Sequence, residues 1–373
     1  MDALGTTSLL SWFPVGAVPA VIALVVLYLA VRRARRVATR VLAATATALL
    51  ALASAAVGVN AHYGYFATVG EAFGGTGPDS STLAAAEAGS GRIPPNGQVI
   101  TLDLPGTTSG FTPRQAVVYL PPAWFARPRP ALPVIMLLHG TPGDPTSWTD
   151  GGGAQTTADA WAAQHGGTAP VLVMPDINGS LTGDTECVDS PLGRAETYLT
   201  VDVPAAVQQQ LGTAPPGRQW AVAGLSEGGS CAIVLALRHP DGFAAFGDYG
   251  GLAGPRVGDT NDDTADTVTQ LFGGSQAQFS AHEPAALLGA QRFPDLGGWF
   301  QVGTGDAEPL AAAQRLAPLA RAAGVQTCLV TMPGLGHTFD VWSAAFGESL
   351  PFLAARIGLV PPDPSQTAAC APA

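Results

Sequence analysis

The segment best suited to chemistry is Gly224-Leu225-Ser226-Glu227-Gly228, a serine set between small residues. A serine hydroxyl is a weak nucleophile until a neighbouring base takes its proton. Glycine on both sides permits a tight strand-to-helix turn that exposes the hydroxyl at a strand end. Six histidines are available: His62, His139, His165, His239, His282 and His337. His337 lies in Gly334-Leu335-Gly336-His337-Thr338, between the last strand-like run and the last helix-like run, and is the expected base. His139, at a strand end, and His239, at a helix end, read as structural. The base needs an acid that orients it and stabilises its charged form. Asp306, in Gly303-Thr304-Gly305-Asp306, stands between Ser226 and His337 in the chain and fits that role; Glu308 is its rival. A tetrahedral oxyanion needs two backbone donors. The Glu227 amide is one. The other is expected in His139-Gly140-Thr141-Pro142-Gly143, and since Pro142 has no N–H, Thr141 is favoured. No His, Asp or Cys grouping has metal-ligand spacing, so neither a metal nor a cofactor is expected.

Such residues need a frame. Val134–Leu138 and Val171–Met174 are continuous apolar runs of buried-strand type, and Ala116–Leu120 is a shorter one. Residues 220–223, 243–246, 299–302 and 327–331 are further strand-like runs, and 196–211, 231–238, 310–323 and 341–357 have helical spacing. Buried strands alternating with helices predict an α/β fold with a mostly parallel sheet covered on both faces. Residues 252–296, with Asp259, Asp262, Asp263 and Asp266, interrupt the alternation and read as an excursion above the sheet. Four parts are expected: a membrane anchor over 1–61, a juxtamembrane linker over 62–97, a catalytic domain over 98–357 and a disordered tail over 358–373.

Charge divides the chain as well. The formal net charge is −11, from 28 acids and 17 basic residues, all of them Arg. Residues 1–57 carry +4 and residues 58–373 carry −15. Without a basic patch outside 32–40, nucleic-acid binding is excluded. Residues 8–31 hold no charge and exceed the roughly 20 residues that cross a bilayer. A second uncharged run covers 41–61. The cluster Arg32, Arg33, Arg35, Arg36 and Arg40 between them predicts a cytoplasmic turn. Two spans then leave the N-terminus and the catalytic domain outside the cell membrane. The aromatic cluster at 62–66 suits the headgroup level. The competing reading of the second run is a signal segment cleaved near Ala53-Ser54-Ala55-Ala56. Cys187, Cys231, Cys328 and Cys370 would then sit where disulfides form, in any of three full pairings. Cys328, in an apolar run, reads as a buried free thiol.

The motifs Val118-Tyr119-Leu120-Pro121-Pro122, Leu138-His139-Gly140, Gly224 to Gly229, Gly303 to Asp306 and Pro333 to His337, in that order, resemble the esterase D and antigen 85 mycolyltransferase-like branch of the α/β-hydrolases. The likeness covers about residues 98–357. The Arg-rich N-terminus is similar to that of membrane-anchored actinobacterial members. The resemblance implies an α/β-hydrolase fold after two transmembrane helices, with Ser226 as nucleophile, Asp306 as acid and His337 as base. It departs at Glu227, where this branch often has Met or Ala. A carboxylate there would either disfavour anionic substrates or turn away into a hydrogen bond. Asp184 and Glu186 lie in a loop expected at the substrate edge, and a Cys187–Cys231 bond would fix that loop against the nucleophile-bearing helix. Trp148 reads either as a pocket wall or as an ordinary core or surface aromatic. The expected activity is hydrolysis of a carboxylic ester, in a lipid or cell-envelope component, through an acyl-enzyme. Alternatives are an acyltransferase with a sugar or lipid hydroxyl as acceptor, a hydrolase of aminoacylated phospholipid selected by the acidic loops, and a non-catalytic envelope-binding module.

Overall fold

The computed structural model describes residues 37–63, 81–262, 264–362 and 370, and scattered positions between 21 and 32. The chain divides into two units, Met1–Gly77 and Pro78–Ala373. In the first, helix α1 spans Val37–Tyr63. Its stretch Val37–Ala55 is the one candidate membrane span among the described residues. This overlaps the expected second span but starts four residues earlier, inside the Arg cluster. The expected first span and the 62–66 aromatic cluster fall largely outside the described residues.

The second unit is built on a sheet whose strands are β1 (Ser81–Thr82), β2 (Gln98–Leu102), β3 (Ala116–Leu120), β4 (Val134–Leu138), β5 (Val171–Met174), β8 (Gly217–Leu225), β9 (Phe243–Tyr249), β10 (Gly297–Gly303) and β11 (Gln326–Met332). Two short strands, β6 (Asp189–Ser190) and β7 (Gly193–Arg194), form a separate hairpin. The large sheet runs β1-β2-β3-β5-β4-β8-β9-β10-β11. It is parallel except where β3 pairs with β2 and β5. The apolar runs of β3, β4 and β5 are buried along their whole length, as a sheet covered on both faces requires. Trp124, Trp148 and Trp220 are the largest fully buried side chains in that core.

Strand order reverses between β4 and β8: the chain leaves β4 towards β5 on one side and returns through β8 on the other. Open α/β sheets bind ligands at such a switch point, beyond the carboxyl ends of the strands. The loop after β4 and the turn after β8 meet there. Helix α2 (Glu227–Arg238) begins at the residue after Ser226, four residues before its expected start. Gly228 and Gly229 hide that first turn from helical propensity.

Two expectations need amendment. Within the stretch expected as a linker, β1 and the helical turn Leu83–Ala88 join the sheet domain: Ala86 is in the core and Glu87 pairs with Arg127 and Arg129. Cys328 is not a free thiol. It is bonded to Cys370. Strand β11 is the sheet edge, so its flank is open to the returning C-terminal chain. Of the expected tail, only 358–362 and 370 are described.

Candidate active site

Ser226 occupies a left-handed backbone conformation, φ 55° and ψ −125°, between β8 and α2. Such a conformation costs a non-glycine residue about 1–3 kcal/mol and persists only where the surroundings enforce it. Here the enforcement is steric. A Cβ at Gly224 would collide with the carbonyl of Gly228, and one at Gly228 with the carbonyls of Leu138 and His139. The turn closes only with glycine at both places, and β4 can then lie against it. The Ser226 N–H is held by the Tyr249 carbonyl at 3.0 Å.

His337 leaves the loop between β11 and helix α3 (Phe339–Arg356) and reaches Ser226 from the far side. Its Nε2 lies 2.8 Å from Ser226 Oγ, and its Nδ1 lies 2.6 Å from Asp306 Oδ2. With the proton on Nδ1, the imidazole donates to Asp306 and accepts from Ser226. Asp306 immediately precedes the helix Ala307–Ala322 at the end of β10, so Asp306 and His337 follow adjacent parallel strands. Glu308 is committed elsewhere: its Oε2 accepts from the backbone N–H and the side-chain amide of Asn261, each at 2.8 Å. Trp342, one turn into α3, stands perpendicular to the His337 ring at 4.9 Å. Sequence reasoning missed it, because an aromatic at helical spacing looks like core.

The loop after β4 passes close to the serine; a Cβ at Gly140 would come within 2.9 Å of Ser226 Cβ. The N–H groups of Thr141 and Glu227 meet no acceptor among the described residues. His139 is fully buried, with Nδ1 2.8 Å from the Gly140 carbonyl, which steadies this loop. Below it, Asp176 gathers Arg114, His139 and the N–H groups of Asn178 and Gly179, and these donors hold its carboxyl well below the usual range despite burial.

Trp148 is fully buried, and its indole N–H donates to the Leu138 carbonyl at 2.9 Å. It packs edge-on against Tyr249 and Phe346. It has no surface to offer a substrate, so the pocket-wall reading is corrected to a core residue. Asp184 is half-buried, while Glu186 and Glu227 are 5% and 8% exposed. One oxygen of each carboxylate lies within 4.8 Å of the other two. Burial raises all three, and the Glu227 and Asp184 charges raise Glu186 further; Glu227 is pushed up to about 8. Glu227 turns inward, bonded to Thr141, Asn178 and the Glu186 N–H. Cys187 and Cys231 are bonded, Cα to Cα 5.5 Å, and tie this acidic loop to α2. Asn178 was not foreseen; no motif marks it.

The family model described as "Putative esterase" matches residues 111–353. The chain belongs to the esterase family. An uncharacterized protein of Corynebacterium glutamicum is 35% identical over 337 residues, 86% of this chain and 77% of that protein. The diacylglycerol acyltransferase/mycolyltransferase Ag85A of Mycobacterium leprae is 30% identical over 132 residues, 33% of this chain and 37% of that protein. Among solved structures, an S-formylglutathione hydrolase from Agrobacterium tumefaciens aligns with TM-score 0.58 at 19% identity, over 70% of this chain and 96% of that one. MPT51 of Mycobacterium tuberculosis aligns with TM-score 0.53 at 20% identity, over 69% and 98%. The esterase-family chain therefore has the α/β-hydrolase fold and is a serine-hydrolase-class enzyme, an ester hydrolase or an acyltransferase.

Proposed function

We propose that the protein is a membrane-anchored serine esterase whose catalytic domain lies outside the cell membrane and cleaves a lipid or cell-envelope ester. The observation that carries this reading is the continuous chain from Asp306 through His337 to Ser226 at the strand-to-helix turn. Ser226 Oγ attacks the ester carbonyl carbon while its proton passes to His337 Nε2. Asp306 keeps Nδ1 protonated and stabilises the imidazolium. The carbonyl oxygen becomes an oxyanion facing the Thr141 and Glu227 N–H groups. Collapse breaks the ester C–O bond, and the alcohol leaves with the proton from His337. Water then repeats the sequence on the acyl-enzyme, releasing the acid and restoring Ser226.

The two-pass topology rests on charge and length: the apolar helix α1, the uncharged run at 8–31 and the Arg cluster between them. The two disulfides suit an oxidising compartment. A second reading, acyl transfer to a sugar or lipid hydroxyl, is favoured by the match to the Ag85A acyltransferase; it shares the acylation half and replaces water in the second. The test is turnover of short-chain p-nitrophenyl esters by the full chain, without and with a sugar acceptor. Release of acid without acceptor supports hydrolysis. Release of p-nitrophenol that depends on acceptor, with an acylated sugar in place of free acid, supports transfer. No turnover in either condition contradicts both.

A further inference from the structure

Thr141, Asn178 and Glu227 form a knot beside Ser226 in which the protons can be counted. Thr141 Oγ1 is 2.8 Å from the Gly183 carbonyl, 2.7 Å from Asn178 Nδ2 and in hydrogen-bond contact with Glu227 Oε2. A hydroxyl donates one proton. The Gly183 carbonyl can only accept, and an ionised Glu227 would compete with it for that single proton. The Asn178 amide can only donate, and its orientation is fixed by the Thr185 N–H on its Oδ1 at 2.9 Å. A protonated Glu227 relieves that competition, because it can donate to Thr141 Oγ1 itself and leave the Thr141 proton to Gly183. Asn178 also gives its second amide hydrogen to Oε2 at 2.7 Å, and the Glu186 N–H donates to Oε1 at 3.1 Å; these two donors favour the ionised form, and burial beside two further acids outweighs them.

We propose that Glu227 is a positioning residue: a neutral carboxylic acid whose side chain ties Thr141 to the nucleophile turn, aligns both oxyanion donors, and lets acylation fail when it ionises. This rests on the serine mechanism proposed above. An ionised Glu227 would set a negative charge on the residue whose own N–H must face the oxyanion. It would also leave Thr141 with one proton for two acceptors, Glu227 and the Gly183 carbonyl.

The groups around it favour the neutral form. Asp184 and Glu186 face it from the loop after β5, and Asp259 stands behind Asp184. Arg256 gives Glu186 only a backbone N–H, since its guanidinium is bound to Glu283. Beyond Asn178, Asp176 is already paired with Arg114 and His139. His337 lies across Ser226 and is paired with Asp306. Burial among these acids raises Glu227 to about 8.

The experiment measures kcat on p-nitrophenyl acetate, and the rate of Ser226 labelling by a fluorophosphonate, from about pH 6 to about pH 10 with a chelator present. Once the acid has titrated, the wild type should lose about tenfold per pH unit. Glu227→Gln, which cannot ionise, should lose that alkaline descent. Asp184→Asn should move the descent to lower pH. Glu227→Ala should lower kcat at pH 7 by about tenfold or more with KM little changed, a smaller loss than removing an oxyanion donor outright. The proposal is overturned by a Glu227→Gln profile that descends with the wild type, or by a wild type that does not descend. If Glu227→Ala fails to fold, the comparison of Glu227→Gln with wild type still decides. Absence of wild-type labelling overturns the serine mechanism and this role with it; labelling with an unchanged descent in Glu227→Gln overturns this role alone.

Discussion

Ser226 has a carboxylate on either flank, and the two are held in opposite ways. On one side Asp306 faces a single base, His337, at 2.6 Å. On the other, Glu227 faces a hydroxyl, an amide and two further acids. In the proposed mechanism the same chemical group holds a positive charge on one flank and stays neutral on the other. Asp176, a few ångströms of loop away from Glu227 through Asn178, shows a third outcome: equally buried, it is kept ionised by an arginine, a histidine and backbone donors. Burial raises Glu227 and Asp176 alike, and Asp176 has the charged donors that reverse it.

The sharpest way to break the comparison is on the Asp306 flank. Asp306→Asn keeps the shape but cannot hold Nδ1 protonated, and kcat should fall by about 10³–10⁴-fold. Glu308→Gln should keep kcat within about threefold, because its carboxylate serves Asn261 rather than the imidazole. Equal losses in the two variants would overturn the assignment of the acid.

A smaller effect is expected from the bond that carries the acidic loop. Replacing both Cys187 and Cys231 by serine opens a crosslink across 44 residues and should cost about 2–4 kcal/mol in chemical denaturation. The same variant should weaken the alkaline descent, since the loop brings Asp184 and Glu186 to Glu227. Full stability in the double variant would show that the loop is held by its hydrogen bonds alone.

The smallest effects are in the pH dependence of stability. Asp176 and Glu196 are both lowered, by Arg and His partners. An acid with a lowered folded value contributes stability above its unfolded value and loses it as pH falls through that range. Their contribution to the denaturant midpoint should therefore be flat above about pH 5 and drop below about pH 4. Asp248 has the opposite sign: burial raises it to about 7, with only the Gly251 N–H in compensation. Stability should decline from about pH 4 to about pH 7, a slope to which the raised Asp184, Glu186 and Glu227 add, and Asp248→Asn should reduce it. A slope that Asp248→Asn leaves unchanged contradicts the assignment.

The catalytic flank was legible because its signals are local. Gly-x-Ser-x-Gly, a glycine-flanked histidine and an acid closing a strand each announce themselves, and chain order joins them. The oxyanion flank was only half legible. The amides of Thr141 and Glu227 can be proposed from position, but the direction of the Glu227 side chain depends on Asn178, 49 residues away. Trp148 shows the same limit: one aromatic in a loop does not reveal which way it points, and it turned into the core. Strand β1 and its helical turn escaped because Ser, Thr, Ala and Gly carry no hydrophobic period. The Cys328–Cys370 bond escaped because pairing depends on which strand lies at the sheet edge.

The central claim is that Ser226 is the nucleophile, activated through His337. Its most direct measurement is mass spectrometry of the intact protein and its peptides after reaction with a fluorophosphonate. The account predicts one adduct, on Ser226, absent in Ser226→Ala and formed far more slowly in His337→Ala. An adduct on another residue, or equal labelling of Ser226→Ala, would contradict it.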